Sequence, residues 1–147
     1  MINHRKMHDP LPHSFADVLT TIADEHKPTV ERIAAKPFVK WVGGKRSIIS
    51  SLIERMPESY NRYHESFLGG GALFFEVQPK DAYLSDINFH LIIAYQAVRD
   101  DLETLIELLA AHTVSHDKDH YLKCRAALST ETDKTKIAAL FIYINKT

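Results

Sequence analysis

The stretch ESFLGGGALFF occupies residues 65–75 and places three glycines between a predicted strand and a predicted helix. Residues 63–67, around its start, have the composition of a strand, and residues 72–77, after the glycines, have that of a short helix. A second strand is predicted at residues 82–86, after the helix stop at Pro79. A strand, a crossover helix and a strand at this spacing form a parallel pair, so the fold class is α/β.

The glycine loop and Asp86 together indicate a nucleotide-type ligand. A glycine loop after a strand lets a ligand approach the backbone, and an acidic residue about 20 positions later can accept from ribose hydroxyls. Asp86 stands at the end of the second predicted strand. An adenosine-like ligand is therefore expected. A dinucleotide oxidoreductase is a weaker alternative, because the loop lacks the G-x-G-x-x-G spacing.

Composition predicts one soluble domain. The chain has 147 residues, of which 45% are hydrophobic and 25% charged, enough to bury a core. The polar N-terminus and the lack of a long apolar run predict a cytoplasmic protein with no membrane segment. The single Cys124 excludes an internal disulfide and is interpreted as a plain helix residue.

Charge is balanced overall but locally basic. The net charge of -1 argues against a wholesale nucleic-acid binder. Residues 36–46 nevertheless contain four cations and no acid, next to the segment Trp41-Val42-Gly43-Gly44. This basic segment is suited to a phosphate or a carboxylate.

Residues 1–35 are predicted to be an N-terminal extension with a short amphipathic helix before Pro28. The remaining chain alternates strand and helix up to residue 100 and is helical afterwards. Helices are predicted at residues 47–56, from Asn88 through Val98, and at residues 102–111, 121–128 and 136–144. Only two or three strands can be counted, whereas a doubly wound sheet needs about five. The domain is therefore expected to be incomplete.

Two further segments resemble site motifs but do not complete them. Gly44-Lys45-Arg46-Ser47 resembles the end of a phosphate-binding P-loop, but Val39 stands where that motif needs a glycine. Asp9-Pro10-Leu11-Pro12 resembles an acidic-Pro-Pro-aromatic motif but has the wrong residues at its end, and it is interpreted as linker.

His112, His116 and His120 are spaced four apart, so on one continuous helix they would share a face and could bind a metal. Thr113-Val114-Ser115 is poor helical sequence, however. A polar turn between two helices, with solvated histidines, is therefore predicted, and no metal site.

Four segments together resemble the Dam-type family of DNA adenine-N6 methyltransferases. They are KPFVKWVGGKR at 36–46, YNRY at 60–63, ESFLGGGALFF at 65–75 and SDIN at 85–88, in the family's order. The resemblance implies a Rossmann-like S-adenosylmethionine-dependent methyltransferase fold, here incomplete. Residues 36–100 would be the S-adenosylmethionine-binding part and residues 101–147 the start of a helical target-recognition region.

The resemblance also implies a cofactor site. S-adenosyl-L-methionine needs a cation or backbone donors for its carboxylate, an open loop, an acid for its ribose and apolar walls. Lys45 would meet the carboxylate, Trp41 would pack on the cofactor and Asp86 would accept from the ribose hydroxyls. The expected cofactor-binding residues are Trp41, Gly43, Gly44, Lys45, Glu65, Phe67, Gly69, Gly70, Gly71 and Asp86.

Two departures from the family bear on activity. Ser66 replaces a usual proline, which removes no chemical group. No acidic-Pro-Pro-aromatic motif occurs up to Thr147, so no catalytic residue is assigned and the chain alone is expected to be inactive. The implied function is site-specific DNA adenine-N6 methylation of restriction-modification or Dam type. Its implied partners are double-stranded DNA and a complementary C-terminal fragment. The alternative is a non-catalytic remnant or partner subunit that binds S-adenosylmethionine or DNA.

Overall fold

The structure, a computed structural model, describes residues 35–147. The predicted N-terminal extension, its short helix and the linker at residues 9–12 lie outside the described residues.

Two strands form a small parallel sheet. Strand β1 is Tyr63–Glu65 and strand β2 is Ala82–Leu84, with Glu65 opposite Leu84. Backbone hydrogen bonds continue the pairing beyond both strands. The Ser85 N–H donates to the Glu65 carbonyl at 2.9 Å, and the Leu68 N–H donates to the Ser85 carbonyl at 3.0 Å. The predicted parallel pair is confirmed, and both carboxyl ends meet at the glycine loop.

Two short helical elements flank the sheet. A 3-10 turn at Lys45–Ile48 leads into helix α1 at Ile49–Ile53, and helix α2 is Ala72–Val77 as predicted. The helix predicted at residues 47–56 is shorter, since its β-branched isoleucines and paired serines are poor helix formers and Gly44 offers no side-chain cap. Residues 38–42 contain bends and no strand.

Four longer helices follow, as predicted: α3 (Phe89–Asp100), α4 (Leu102–Val114), α5 (Lys118–Ala127) and α6 (Lys134–Lys146). Three have side-chain caps that fix their first turns: Asn88, Asp117 and Asp133 each accept from a backbone N–H. The last two caps explain why α5 and α6 begin earlier than predicted.

The core lies between α3, α4 and α6. Leu91, Ile93, Leu105 and Ile137 are buried there, and Val39 from the segment before the 3-10 turn joins them. The basic segment is therefore anchored to the helical half. No helix within residues 35–147 is long and apolar enough to cross a membrane.

The prediction that the three histidines are solvated is wrong for two of them. Helix α4 extends to Val114, and α4 and α5 both pack against α6. His112 Nδ1 and His120 Nε2 lie 3.0 Å apart and next to the buried Cys124. Only His116 remains exposed. Tertiary packing against α6, which local sequence does not encode, turns the other two inward.

Candidate cofactor site

A cavity of about 890 Å³ lies where the basic segment, the glycine loop and the end of β2 meet. Eight of the ten predicted cofactor-binding residues line this cavity, and Glu65 and Gly71 do not. The eight are Trp41, Gly43, Gly44, Lys45, Phe67, Gly69, Gly70 and Asp86. Residues that are far apart in sequence are thus brought together around one space.

Glu65 lies behind the cavity wall and holds Lys45. Its side chain is only 5% exposed, and its Oε1 lies 3.0 Å from Lys45 Nζ. Tyr63 donates its hydroxyl to Glu65 Oε2 at 2.7 Å. The Lys45 ammonium also donates to the carbonyl oxygen of Phe67. This Lys45–Glu65 pair therefore connects the 3-10 turn to the last residue of β1.

The buried carboxylate also affects the tyrosine beside it. Burial, reinforced by the hydrogen bond and the negative charge of Glu65, raises the pKa of Tyr63 well above its ordinary value. Tyr63 therefore stays protonated as the hydrogen-bond donor at any physiological pH.

Asp86 ties the end of β2 to the glycine loop. Gly69 donates its N–H to Asp86 Oδ2 at 2.9 Å, and Asn88 donates its N–H to Oδ1 at 3.0 Å. A carboxylate has about four acceptor positions, so Asp86 retains acceptor capacity toward the cavity. The two hydrogen bonds fix the orientation of the Asp86 carboxylate.

Two glycines in the loop are required by geometry. Gly69 has φ +55°, and a Cβ there would lie 2.9 Å from Trp41 Cδ1. Gly71 has φ +71°, and a Cβ there would lie 2.4 Å from the Tyr95 hydroxyl. A larger residue at either position would be strained and crowded. The indole therefore lies directly on the loop, whereas Gly71 faces α3 rather than the cavity.

A contact that sequence reasoning missed holds the basic segment in place. The Asn145 side chain accepts from the backbone N–H of Lys40 and donates to its carbonyl, both at 2.8 Å. This amide clamp joins the end of α6 to the residue before Trp41, across 105 positions of sequence. No local motif predicts such a contact, and its one trace in the sequence is an asparagine in the last turn of a helix.

The wall of the cavity is basic and partly apolar. Among its lining residues, Lys40, Arg46 and Lys146 contribute cations besides Lys45, and Asp86 is the one acid. Phe67 exposes 79% of its surface at the cavity edge, which leaves a flat apolar face available to a ligand. Such a site is suited to a ligand that combines an anionic group, hydroxyls and a ring.

The comparisons with known proteins give a consistent family. Residues 41–147 match the family of D12 class N6 adenine-specific DNA methyltransferases. A type II methyltransferase of Lactococcus lactis subsp. cremoris is 45% identical over 96 residues, which are 65% of this chain and 34% of that protein. A type II methyltransferase of Methanocaldococcus jannaschii is 36% identical over 131 residues, 76% of this chain and 45% of the relative.

A DNA adenine methylase of Haemophilus influenzae is 27% identical over 118 residues, which are 78% of this chain and 41% of that enzyme. The chain thus spans less than half the length of these relatives. The family match covers most of the cavity lining and the helices α3–α6. The chain therefore belongs to the D12 class of N6 adenine-specific DNA methyltransferases.

Proposed function

We propose that the cavity binds S-adenosylmethionine and that the chain is the cofactor-binding part of a site-specific DNA adenine-N6 methyltransferase of restriction-modification or Dam type. Its fold would be Rossmann-like, with β1, α2 and β2 as the first unit. One observation carries the proposal: residues 41–45, the glycine loop and Asp86 close on a single cavity.

The chemistry of the wall fits the carboxylate of this cofactor. Lys45 has three ammonium protons, of which one donates to the Phe67 carbonyl. The ammonium also forms an ion pair with Glu65, which holds the lysine at the cavity wall. Donor capacity remains for a ligand carboxylate, and Arg46 adds a second cation to the same wall.

The other parts of the cofactor also find complementary groups. Asp86 can accept from ribose hydroxyls while it keeps its two backbone bonds. Trp41 and Phe67 offer ring faces for the adenine or the methionine chain. The volume of about 890 Å³ lies within the range of small-molecule sites.

When bound, the cofactor supplies a methyl group on a sulfonium. The residues of this chain bind it, orient it and limit the access of water to it. The proposed reaction of the whole protein is transfer of that methyl group to adenine N6 in double-stranded DNA. Residues 101–147 would begin the target-recognition region, a complementary C-terminal fragment would be a partner, and the protein would be cytoplasmic.

Calorimetric titration of the 147-residue chain tests the cofactor part of the proposal. We expect one S-adenosylmethionine per chain, and binding weakened by at least about tenfold in Asp86→Asn, which loses the charge-assisted acceptor. Phe67→Ala should weaken binding with little change in folding, because its side chain is already exposed. The matched controls are Asp81→Asn and Phe89→Ala, exposed residues that do not line the cavity.

Two results would contradict this proposal. Equal loss of affinity in the controls would show that the cavity is not the site, and binding of NAD in preference to S-adenosylmethionine would favour an oxidoreductase. The DNA part is tested by transfer of a labelled methyl group to DNA, with the chain alone and mixed with the C-terminal part of the Lactococcus relative. Cofactor binding without methyl transfer, both in the chain alone and in the mixture, would favour a non-catalytic binding module.

A further inference from the structure

Three potential metal ligands converge at the contact between α4 and α5, away from the cavity. The ligand atoms are His112 Nδ1, His120 Nε2 and Cys124 Sγ. The two nitrogens are 3.0 Å apart, and the sulfur is 3.6 Å from His112 Nδ1 and 3.3 Å from His120 Nε2. The three atoms thus form a closed triangle, called here the His2Cys cluster.

The dimensions of the His2Cys cluster are close to those of one face of a zinc tetrahedron. With Zn–N near 2.0–2.1 Å and Zn–S near 2.3 Å, tetrahedral geometry places two nitrogens roughly 3.3 Å apart and a nitrogen and a sulfur roughly 3.6 Å apart. Each observed edge is within about 0.3 Å of these values. The three atoms are therefore spaced as the ligands of one ion would be.

Hydrogen bonds account for at most two of the three contacts in this triangle. An imidazole nitrogen either donates its proton or accepts through its single lone pair, and it cannot do both. Three atoms with one proton or one lone pair at each nitrogen can form at most two separate hydrogen bonds among three contacts. A cation in the centre would use all three lone pairs at once.

The surrounding helices hold the three side chains in position. His120 and Cys124 are one turn apart on the same face of α5, whose first turn is fixed by the Asp117 cap. The Tyr143 ring of α6 stacks on His112 at 5.0 Å and meets the His120 ring at 5.5 Å. Cys124 is 4% exposed. Three helices therefore fix the cluster.

We propose that His112, His120 and Cys124 bind one zinc-like divalent transition-metal ion, which fastens α4 and α5 to each other. Two imidazoles and a thiolate are the donor set that zinc prefers, and a water would take the fourth position. Binding replaces the thiol proton of Cys124, which is released to solvent as the Zn–S bond forms. The site is independent of the cofactor cavity and of the proposed methyl transfer.

The test uses the full chain, stripped of metal with a chelator and titrated with Co²⁺ as a spectroscopic probe. We expect one ion per chain and a thiolate-to-cobalt charge-transfer band, which Zn²⁺ abolishes by displacement. Cys124 is the single cysteine of the chain, so such a band reports this site alone. Cys124→Ser should remove the band and weaken Zn²⁺ binding by at least about 100-fold, since the thiolate bond is lost.

The matched control is His116→Gln. His116 belongs to the same histidine series but contacts the Tyr143 hydroxyl and not the cluster. This variant should keep the band and the one-to-one stoichiometry, whereas His120→Gln should lose both. In thermal denaturation, Zn²⁺ should raise the Tm of the wild type and of His116→Gln only.

A second measurement needs no variant and therefore does not depend on the folding of one. Zn²⁺ should slow alkylation of Cys124 in the wild-type chain under conditions in which the chelated chain reacts. Alkylation that is equally fast with and without Zn²⁺, or cobalt binding without a charge-transfer band, would overturn the proposal. Either result would mean that the cluster is a packing contact, and that other histidines bind any metal retained.

Discussion

Replacing Gly71 with alanine tests how tightly the glycine loop is fitted against α3. Alanine at this position would have to adopt φ +71°. Its Cβ would lie 2.4 Å from the Tyr95 hydroxyl and 3.2 Å from Phe75 Cε2. The left-handed backbone costs about 1–2 kcal/mol for a residue with a Cβ, and overpacking of a filled site costs about 1–3 kcal/mol more. We therefore expect a loss of about 2–5 kcal/mol in the free energy of unfolding.

Tyr95→Phe separates the two contributions. The Tyr95 hydroxyl is buried without a hydrogen-bond partner among residues 35–147, so its removal should be neutral or slightly stabilising. In the Gly71→Ala background the same change should recover about 1–2 kcal/mol, because the closest contact is relieved while the backbone strain remains.

Urea denaturation followed by circular dichroism measures all four members of this double-mutant cycle. The reasoning is refuted if Gly71→Ala is as stable as the wild type. It is also refuted if Tyr95→Phe gives the same change in both backgrounds, because the steric coupling would then be absent.

Three further predictions follow from the contacts around the site. Lys45→Met should lower the free energy of unfolding by about 2–3 kcal/mol, less than for a fully buried pair because the lysine side chain is 28% exposed. Glu65→Gln should lower the free energy of unfolding by less, because Lys45 can turn to water. Urea denaturation of both variants checks which one is less stable. Asn145→Ala removes both hydrogen bonds to Lys40, which contribute about 1 kcal/mol each. By releasing the basic segment, it should weaken S-adenosylmethionine binding about 5- to 10-fold in calorimetry. The control is the exposed Asn61→Ala, and equal affinities of the two variants would exclude an effect of the clamp on binding. Because burial raises the folded-state pKa of Tyr63 above the unfolded value near 10, its contribution to stability is full below that pH and declines above it. Stability measured from pH 9 to 11 should therefore fall less steeply in Tyr63→Phe, and identical slopes would contradict this assignment.

Local sequence accounts for the sheet unit and for the helices. The glycines at 69–71 interrupt two apolar runs, which is enough to predict β1, α2 and β2 in parallel order. Helical periodicity predicted α3–α6, with errors only at their ends. The helix predicted at residues 47–56 is shorter in the structure because the weak helix propensity of its residues outweighs the isoleucine periodicity.

The sequence alone identifies the family and ten candidate site residues, because contiguous motifs preserve the order of residue types that a ligand needs. Tertiary packing sets the positions of two of these residues: Glu65 lies behind the cavity wall and pairs with Lys45, and Gly71 lies against Tyr95. The tertiary structure alone reveals the amide clamp from Asn145 and the inward turn of His112 and His120 onto Cys124. The physical reason is that these contacts join residues on different elements, and their geometry is set by how helices pack rather than by any local pattern.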